Sequence, residues 1–205
     1  MGKLHARLHR LPISGFPIPA GSFLSRSLRE LDQIIESGGW QDLKPGLAWL
    51  MDHRPAPPVQ ASILHLDYHP LNLIDDGTGA LVVIDWTEAG VGDPHADVAN
   101  TRMLLACMRP AHPTPFQRLE MMAGRIFLRR RYLIGYRRIA PVDRERLVYY
   151  QAWAALRRLC QYGHWLQAMP QKAGCKSSAI EQLSPEHLHV LEAYFEKQTG
   201  VAVRL

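Results

Sequence analysis

His65, Asp67, His69, Asn72 and Asp85 are the residues of this 205-residue chain whose types and spacing could do chemistry. They lie in His65-Leu66-Asp67-Tyr68-His69-Pro70-Leu71-Asn72 and, further on, in Ile84-Asp85-Trp86. Residues 71–74 and 81–85 read as two strands around the turn residues Asp75-Asp76-Gly77-Thr78-Gly79. A hairpin pairs positions whose numbers sum to a constant, about 156 for a turn centred near residue 78, so Asn72 falls opposite position 84 or 85. Asn72 and Asp85 then become neighbours. Both offer oxygen, the ligand type that Mg²⁺ requires, but too little of it for an all-protein cage, so water or phosphate must complete the shell. That arrangement suits a metal bound together with a nucleotide. Asp67, in the loop entering the hairpin, can face the same spot and stay free of the metal to accept a proton.

The same stretch permits a second chemistry. On a strand, His65, Asp67 and His69 at i, i+2 and i+4 would share one face, as the metal ligands of a hydrolase could. Pro70 and the lack of a distal His or Cys partner at fitting spacing count against it.

The segment resembles the catalytic and metal loops of the aminoglycoside phosphotransferase and choline kinase family, relatives of the protein kinases, whose pattern is H-x-D-x-x-x-x-N followed by I-D-W or I-D-F. Glu88 to Asp97, with Gly92-Asp93-Pro94 and then Asp97, is similar to the family's G-D-P-x-x-D-L-A, and residues 4–12 are similar to the helix after the hinge between lobes. The resemblance implies an ATP- and Mg²⁺-dependent kinase of a small-molecule hydroxyl, with Asp67 as catalytic base and Asn72 and Asp85 holding the metal and its nucleotide. It implies structural support of the site from His65, Asp93 and Asp97. The expected fold is the mostly helical (α+β) C-terminal lobe of a protein-kinase-like protein, with a small antiparallel β-hairpin carrying the loops.

The resemblance covers nearly all of residues 1–205, with the catalytic and metal loops at 62–97 and a helical substrate side at 111–200. It includes no ATP-binding N-terminal lobe: no G-x-G-x-x-G, no G-x-x-x-x-G-K-[ST], and no Lys in a valine-rich strand. The expectation is a fragment of a full kinase, with an inactive ligand-binding lobe as the alternative. Loss of the packing partner should expose apolar surface near Leu4, Leu8 and the hairpin, a patch inviting self-association.

The elements that must position these loops follow from periodicity and capping. Leu4, Leu8 and Leu11 mark a short helix stopped by Pro12. Leu24, Leu28, Leu31 and Ile35 mark a second over 22–37, ended by Gly38-Gly39. Residues 45–51 read as a helical turn or two, and 54–58 as a proline-stiffened connector. Residues 62–66 read as a strand ahead of the hairpin. Asp93 is a good N-cap with Pro94 at the first helical position, opening a helix to about residue 108. Long helices are predicted over 113–139 and 142–168, the latter with Leu147, Tyr150, Ala154 and Cys160 or Tyr162 on its core face, and a last one over 184–200. Trp153, Tyr162, His164 and Trp165 are equally readable as core or as lining of an acceptor site.

Composition narrows the class. With 47% hydrophobic and 21% charged residues the chain can bury a core, and its apolar runs, such as residues 80–84, are far short of the roughly 20 residues of a membrane span. Without a secretory leader pattern, a cytoplasmic protein that does not engage membranes is expected. Cys107, Cys160 and Cys175 fit neither a disulfide framework nor a zinc site and read as reduced structural thiols. Residues 1–110 carry 9 Lys+Arg against 12 Asp+Glu, and residues 111–205 carry 15 against 7. The clusters at 129–131, 137–138 and 157–158 lie in helical patterns where arginines solvate an outer face, so nucleic acid is not the expected partner. A strongly basic substrate side suits a neutral or anionic hydroxyl compound better than a polycation.

Overall fold

The computed structural model describes residues 1–17, 22–107, 115–168 and 185–205. Helix α1 spans Gly2–Leu8, α2 Phe23–Gly38, α3 Lys44–Asp52, α4 Pro94–Cys107, α5 Pro115–Arg137, α6 Arg144–Ala168 and α7 Pro185–Thr199. Strands β1 (Ser62–Leu64), β2 (Leu73–Asp75), β3 (Leu81–Val83) and β4 (Gly90–Gly92) form two small antiparallel sheets, β1 with β4 and β2 with β3. The β2–β3 sheet is the expected hairpin and β1 lies within the strand expected over 62–66; strand β4 and its pairing with β1 are additions. Gly90-Val91-Gly92 lacks the alternation that would announce a strand, and it pairs with β1 with Ile63 opposite Val91.

Local signals account for most helix ends. The Ser22 side chain accepts from the Ser25 amide at 3.1 Å and so caps α2, while Gly39 closes it in the left-handed conformation at φ 71°. Leu24, Leu28, Leu31 and Ile35 of α2 are buried, as their spacing demands. Asp93 Oδ1 accepts from the His95 amide at 2.9 Å, the N-cap bond of α4. The predicted ends at residues 108, 113 and 184 lie outside the described residues.

Helix α4 is the axis of the fold. Its residues Ala96 to Thr101 are buried all round, packed against α6, α5 and β1. Helix α6 in turn packs on α7, α2 and α3, and buries Trp153, whose indole N–H donates to the Ser27 hydroxyl at 2.9 Å. Trp153 is therefore core, whereas Trp165 is 48% exposed. Helix α1 lies so close to α5 that a Cβ on Gly2 would sit 2.1 Å from the Tyr132 carbonyl oxygen. That approach buries Leu8, so the expected exposed patch does not include it; the hairpin side of the patch is present, with Ile74, Leu81, Val82 and Trp86 all exposed.

Cys107 and Cys160 are buried thiols outside any disulfide, and burial pushes the Cys160 thiol up to about 12, leaving it a neutral packing group. Cys175 lies outside the described residues. Among the described residues no helix is long and apolar enough to cross a membrane. Several arginines of the basic half are engaged within the chain: Arg157 pairs with Glu88 and lies over the Trp153 ring, and Arg146 pairs with Asp93 at 2.7 Å.

Candidate active site

Strand β1 ends at Leu64, and residues 65–69 continue as a loop into one 3₁₀ turn over Pro70–Asn72. The loop is bent at Leu66, which adopts φ 60°. A leucine in the left-handed region costs roughly 1–2 kcal/mol and must be held there. Asp97 holds it from below: Oδ2 accepts from the His65 amide at 2.5 Å and Oδ1 from the Leu66 amide at 2.9 Å. Asn100, one turn further along α4, donates from Nδ2 to the Leu66 carbonyl.

His65 ties the loop to the hairpin. Its Nε2 lies 2.9 Å from the Ile84 carbonyl oxygen and its Nδ1 accepts from the Asp67 amide at 3.2 Å. A carbonyl only accepts and an amide N–H only donates, so the ring is the neutral tautomer with hydrogen on Nε2. Both nitrogens are spent on the backbone. The strand face that a His65, Asp67, His69 ligand set would need is absent, because the strand stops before all three.

The hairpin register pairs Leu73 with Val83, Ile74 with Val82 and Asp75 with Leu81, and the Ile84 amide donates to the Asn72 carbonyl at 3.1 Å. Asn72 is thus opposite Ile84, with Asp85 the next residue. Asn72 is buried, and its Nδ2 donates to the Asp67 carbonyl at 2.9 Å and to Asp67 Oδ2 at 3.1 Å. With the amide nitrogen facing Asp67, the oxygen Oδ1 is the end of Asn72 left for a cation. Asp85 is exposed at φ 61°, a conformation that aspartate tolerates better than most residues, and its Oδ1 accepts from the Thr87 hydroxyl at 2.7 Å. This oxygen donor set fits Mg²⁺, and it is too sparse to hold the ion without phosphate or water.

Asp67 Oδ2 carries two partners, Asn72 and His69 Nε2 at 3.3 Å. Among the described residues Oδ1 has only a looser neighbour, Arg158 Nη2 at 3.8 Å, beyond hydrogen-bond reach. Oδ1 is therefore the oxygen placed to take a proton. Burial pushes the Asp67 carboxyl up, but the His69 hydrogen bond, the His69 and Arg158 charges and the Asn72 amide together hold it below the ordinary carboxylate range. It is ionised at neutral pH. Asp67 opens into a cleft of about 270 Å³ whose lining includes His69, Arg158, Tyr162 and His187, with Met103 and Leu191 as apolar floor. Arg158, which the sequence reading places with Arg157 on a solvated outer face, instead lines this cleft beside Asp67; Asn100 is not singled out by that reading, although it shares the Asp93 and Asp97 face of α4.

Asp93 sits apart from Asp67. Its carboxylate joins the start of α4 to α6, through His95 Nδ1 at 2.7 Å and Arg146 Nη1 at 2.7 Å. Asp97 is the centre of a second network reaching α1 and α5. His9 Nε2 lies 3.2 Å and His5 Nε2 3.0 Å from Asp97 Oδ2, while Tyr132 and Tyr136 hydroxyls lie 2.7 Å from the Nδ1 atoms of His5 and His9. His5, His9 and Asp97 are the one metal-type grouping among the described residues. Both Asp97 oxygens already accept loop amides, so the group reads as a brace between α1 and the loop.

Burial lowers His5 from 6.5 to about 4, against the opposing pull of Asp97. The unfolded chain therefore binds this proton first, and stability should fall as pH drops from 6.5 towards 4, by about 3 kcal/mol from this group. Thermal midpoints measured across that window should show the slope, and His5→Gln should flatten it. An identical slope in the variant would assign the loss to other groups.

The sequence pattern of the phosphotransferase enzyme family matches residues 1–157. Over 92 residues the chain is 33% identical to the thiamine kinase of Shigella boydii serotype 4 (strain Sb227), covering 45% of this chain and 32% of that protein. A Ralstonia eutropha JMP134 protein assigned to the aminoglycoside phosphotransferases superposes with a TM-score of 0.66 at 16% identity, over 96% of this chain and 63% of its own. A choline/ethanolamine kinase family protein from Mesorhizobium loti superposes at 0.60 and 16% identity, over 98% and 63%. These likenesses show a shared kinase-like fold, and the chain spans less than two thirds of the length of each of these relatives.

Proposed function

Because the chain belongs to the phosphotransferase enzyme family, we propose that it forms the catalytic-loop lobe of an ATP- and Mg²⁺-dependent kinase acting on the hydroxyl of a small molecule. The observation that supports this reading is the Asn72 amide nitrogen bonded to Asp67, which leaves its oxygen unspent on a residue that lies opposite Ile84, the neighbour of Asp85. Asp67 Oδ1 accepts the acceptor's hydroxyl proton as that oxygen bonds to the γ-phosphorus and the bond to the β,γ-bridging oxygen breaks, releasing ADP. Asn72 and Asp85 would hold Mg²⁺, which would supply the charge that neutralises the phosphate oxygens. Asp97, Asn100 and His65 keep the strained loop in the shape that aims Asp67. Asp93 serves the site only through the position of α4.

The clamp over the phosphates, a glycine-rich loop and a strand Lys, belongs on this reading to an N-terminal lobe outside residues 1–205. The acceptor enters the cleft between the catalytic loop and α6–α7, so the partner is a small molecule rather than nucleic acid or membrane. The exposed hairpin edge is the surface that the other lobe, or a second copy, would cover.

Mg²⁺ titration tests the assignment. Asp85→Asn removes a charge from a site with few protein ligands, and should raise the Mg²⁺ needed for nucleotide binding or turnover on the order of tenfold or more; Asn72→Ala should have a smaller effect in the same direction. Unchanged Mg²⁺ dependence in Asp85→Asn would remove this site from consideration.

A further inference from the structure

We propose that Arg158 anchors an anionic group of the acceptor beside Asp67, so that the cleft takes a short hydroxy acid rather than a neutral or cationic alcohol; this rests on reading Asp67 as the base. The first observation is an unused donor. Arg158 Nε is buried and, among the described residues, has no hydrogen-bond partner, while Nη2 makes only the 3.8 Å contact with Asp67 Oδ1. Nε and Nη2 form the side edge of the guanidinium, which matches the two oxygens of a carboxylate. Among the described residues no carboxylate hydrogen-bonds to that edge, although a buried guanidinium N–H left unmade is unfavourable.

The second observation is the cleft's charge. Asp67 is the only carboxylate among its described lining residues, and that group is committed to the reacting hydroxyl. The rest are Arg158, two histidines, Tyr162, a cysteine and apolar side chains. A cationic acceptor would meet a guanidinium and find no second carboxylate to hold it. An anionic acceptor finds Arg158 on α6, placed where the reacting end must sit.

The third is spacing. Because Nη2 and Oδ1 are 3.8 Å apart, a hydroxyl donating to Oδ1 and a carboxylate accepting from Arg158 must be close neighbours in one molecule. A 2-hydroxy or 3-hydroxy acid meets that requirement. A compound whose charge lies many bonds from its hydroxyl does not.

Binding measured without nucleotide separates this inference from the kinase reading. The 205-residue chain would be titrated with D-glycerate, glycerol and choline at fixed ionic strength, followed by ligand-observed NMR. Glycerate should bind about tenfold or more tighter than glycerol, with choline weakest, as expected for one charge-assisted hydrogen-bonded pair. Arg158→Gln should bring glycerate down to the level of glycerol, and Arg158→Lys, which keeps charge but loses the planar edge, should recover only part of the difference. Asp67→Asn should bind glycerate at least as well as the unaltered chain, since it removes a neighbouring negative charge. Choline binding as tightly as glycerate, a glycerate preference that survives Arg158→Gln, or no saturable glycerate binding would each overturn the anchor. Transfer from ATP to choline in preference to glycerate would also defeat it while leaving the kinase reading standing. Glycerate binding that depends on Arg158, without transfer to any acceptor in a form carrying both lobes, would defeat the kinase reading instead.

Discussion

Asp67→Ala, in a form that transfers phosphate, is expected to lower kcat by about 10² to 10⁴-fold, the usual contribution of a positioned general base. Mg²⁺-nucleotide affinity should stay nearly unchanged, because Asp67 is assigned a proton and Asn72 and Asp85 the metal. The geometry sharpens this expectation. Oδ2 is occupied by Asn72 and His69, so the reaction has one oxygen to use, and truncation removes it along with its charge. The acid limb of the rate profile should lie below the ordinary carboxylate range, since His69, Arg158 and Asn72 together outweigh the effect of burial on Asp67. His69→Ala should move that limb upward in pH by removing the hydrogen bond that most favours the ionised form. Loss of nucleotide affinity with a preserved saturating rate in Asp67→Ala would exchange the roles of Asp67 and Asp85.

Asp97→Ala is expected to carry the largest stability penalty of any single substitution near the site, about 3–5 kcal/mol, because it leaves two buried backbone amides without their charged acceptor. Five groups depend on that carboxylate: the His65 and Leu66 amides, His5, His9 and, through the Leu66 bend, the whole loop. Burial alone would push the Asp97 carboxyl up; the charges and hydrogen bonds of His5 and His9 overcome it and hold the group well below the usual range. Its stabilisation is therefore present at neutral pH and is lost only in strong acid. Asn100→Ala should cost less, about 1–3 kcal/mol, as it leaves one buried carbonyl, that of Leu66, without its donor. Urea unfolding midpoints measure both. A loss below about 1 kcal/mol for Asp97→Ala would mean that the loop keeps its shape without the brace.

The helices were legible because their ends are encoded within a few residues. Ser22 and Gly39 bracket α2, and Asp93 with Pro94 starts α4, by bonds that span two to three positions of the chain. The meeting of Asn72 with position 84 was legible for the same reason, since a short turn sets the register of both strands. The family's motif supplied the identities of Asp67, Asn72 and Asp85 as candidates. Tertiary structure alone decided the rest. Arg158 reaches Asp67 from a helix far along the chain, and His5 and His9 reach Asp97 from the first turns of the protein; no local pattern can announce a contact between distant segments. The left-handed Leu66 contradicts its own propensity and exists because Asp97 and Asn100 over-determine it. Gly90-Val91-Gly92 becomes a strand only by pairing with β1, and Leu8 becomes core only because Gly2 lets α1 settle on α5. Periodicity and capping determine which segments are helical; which faces meet, and which charges are left facing the cleft, depends on packing energies shared among residues that the sequence keeps apart.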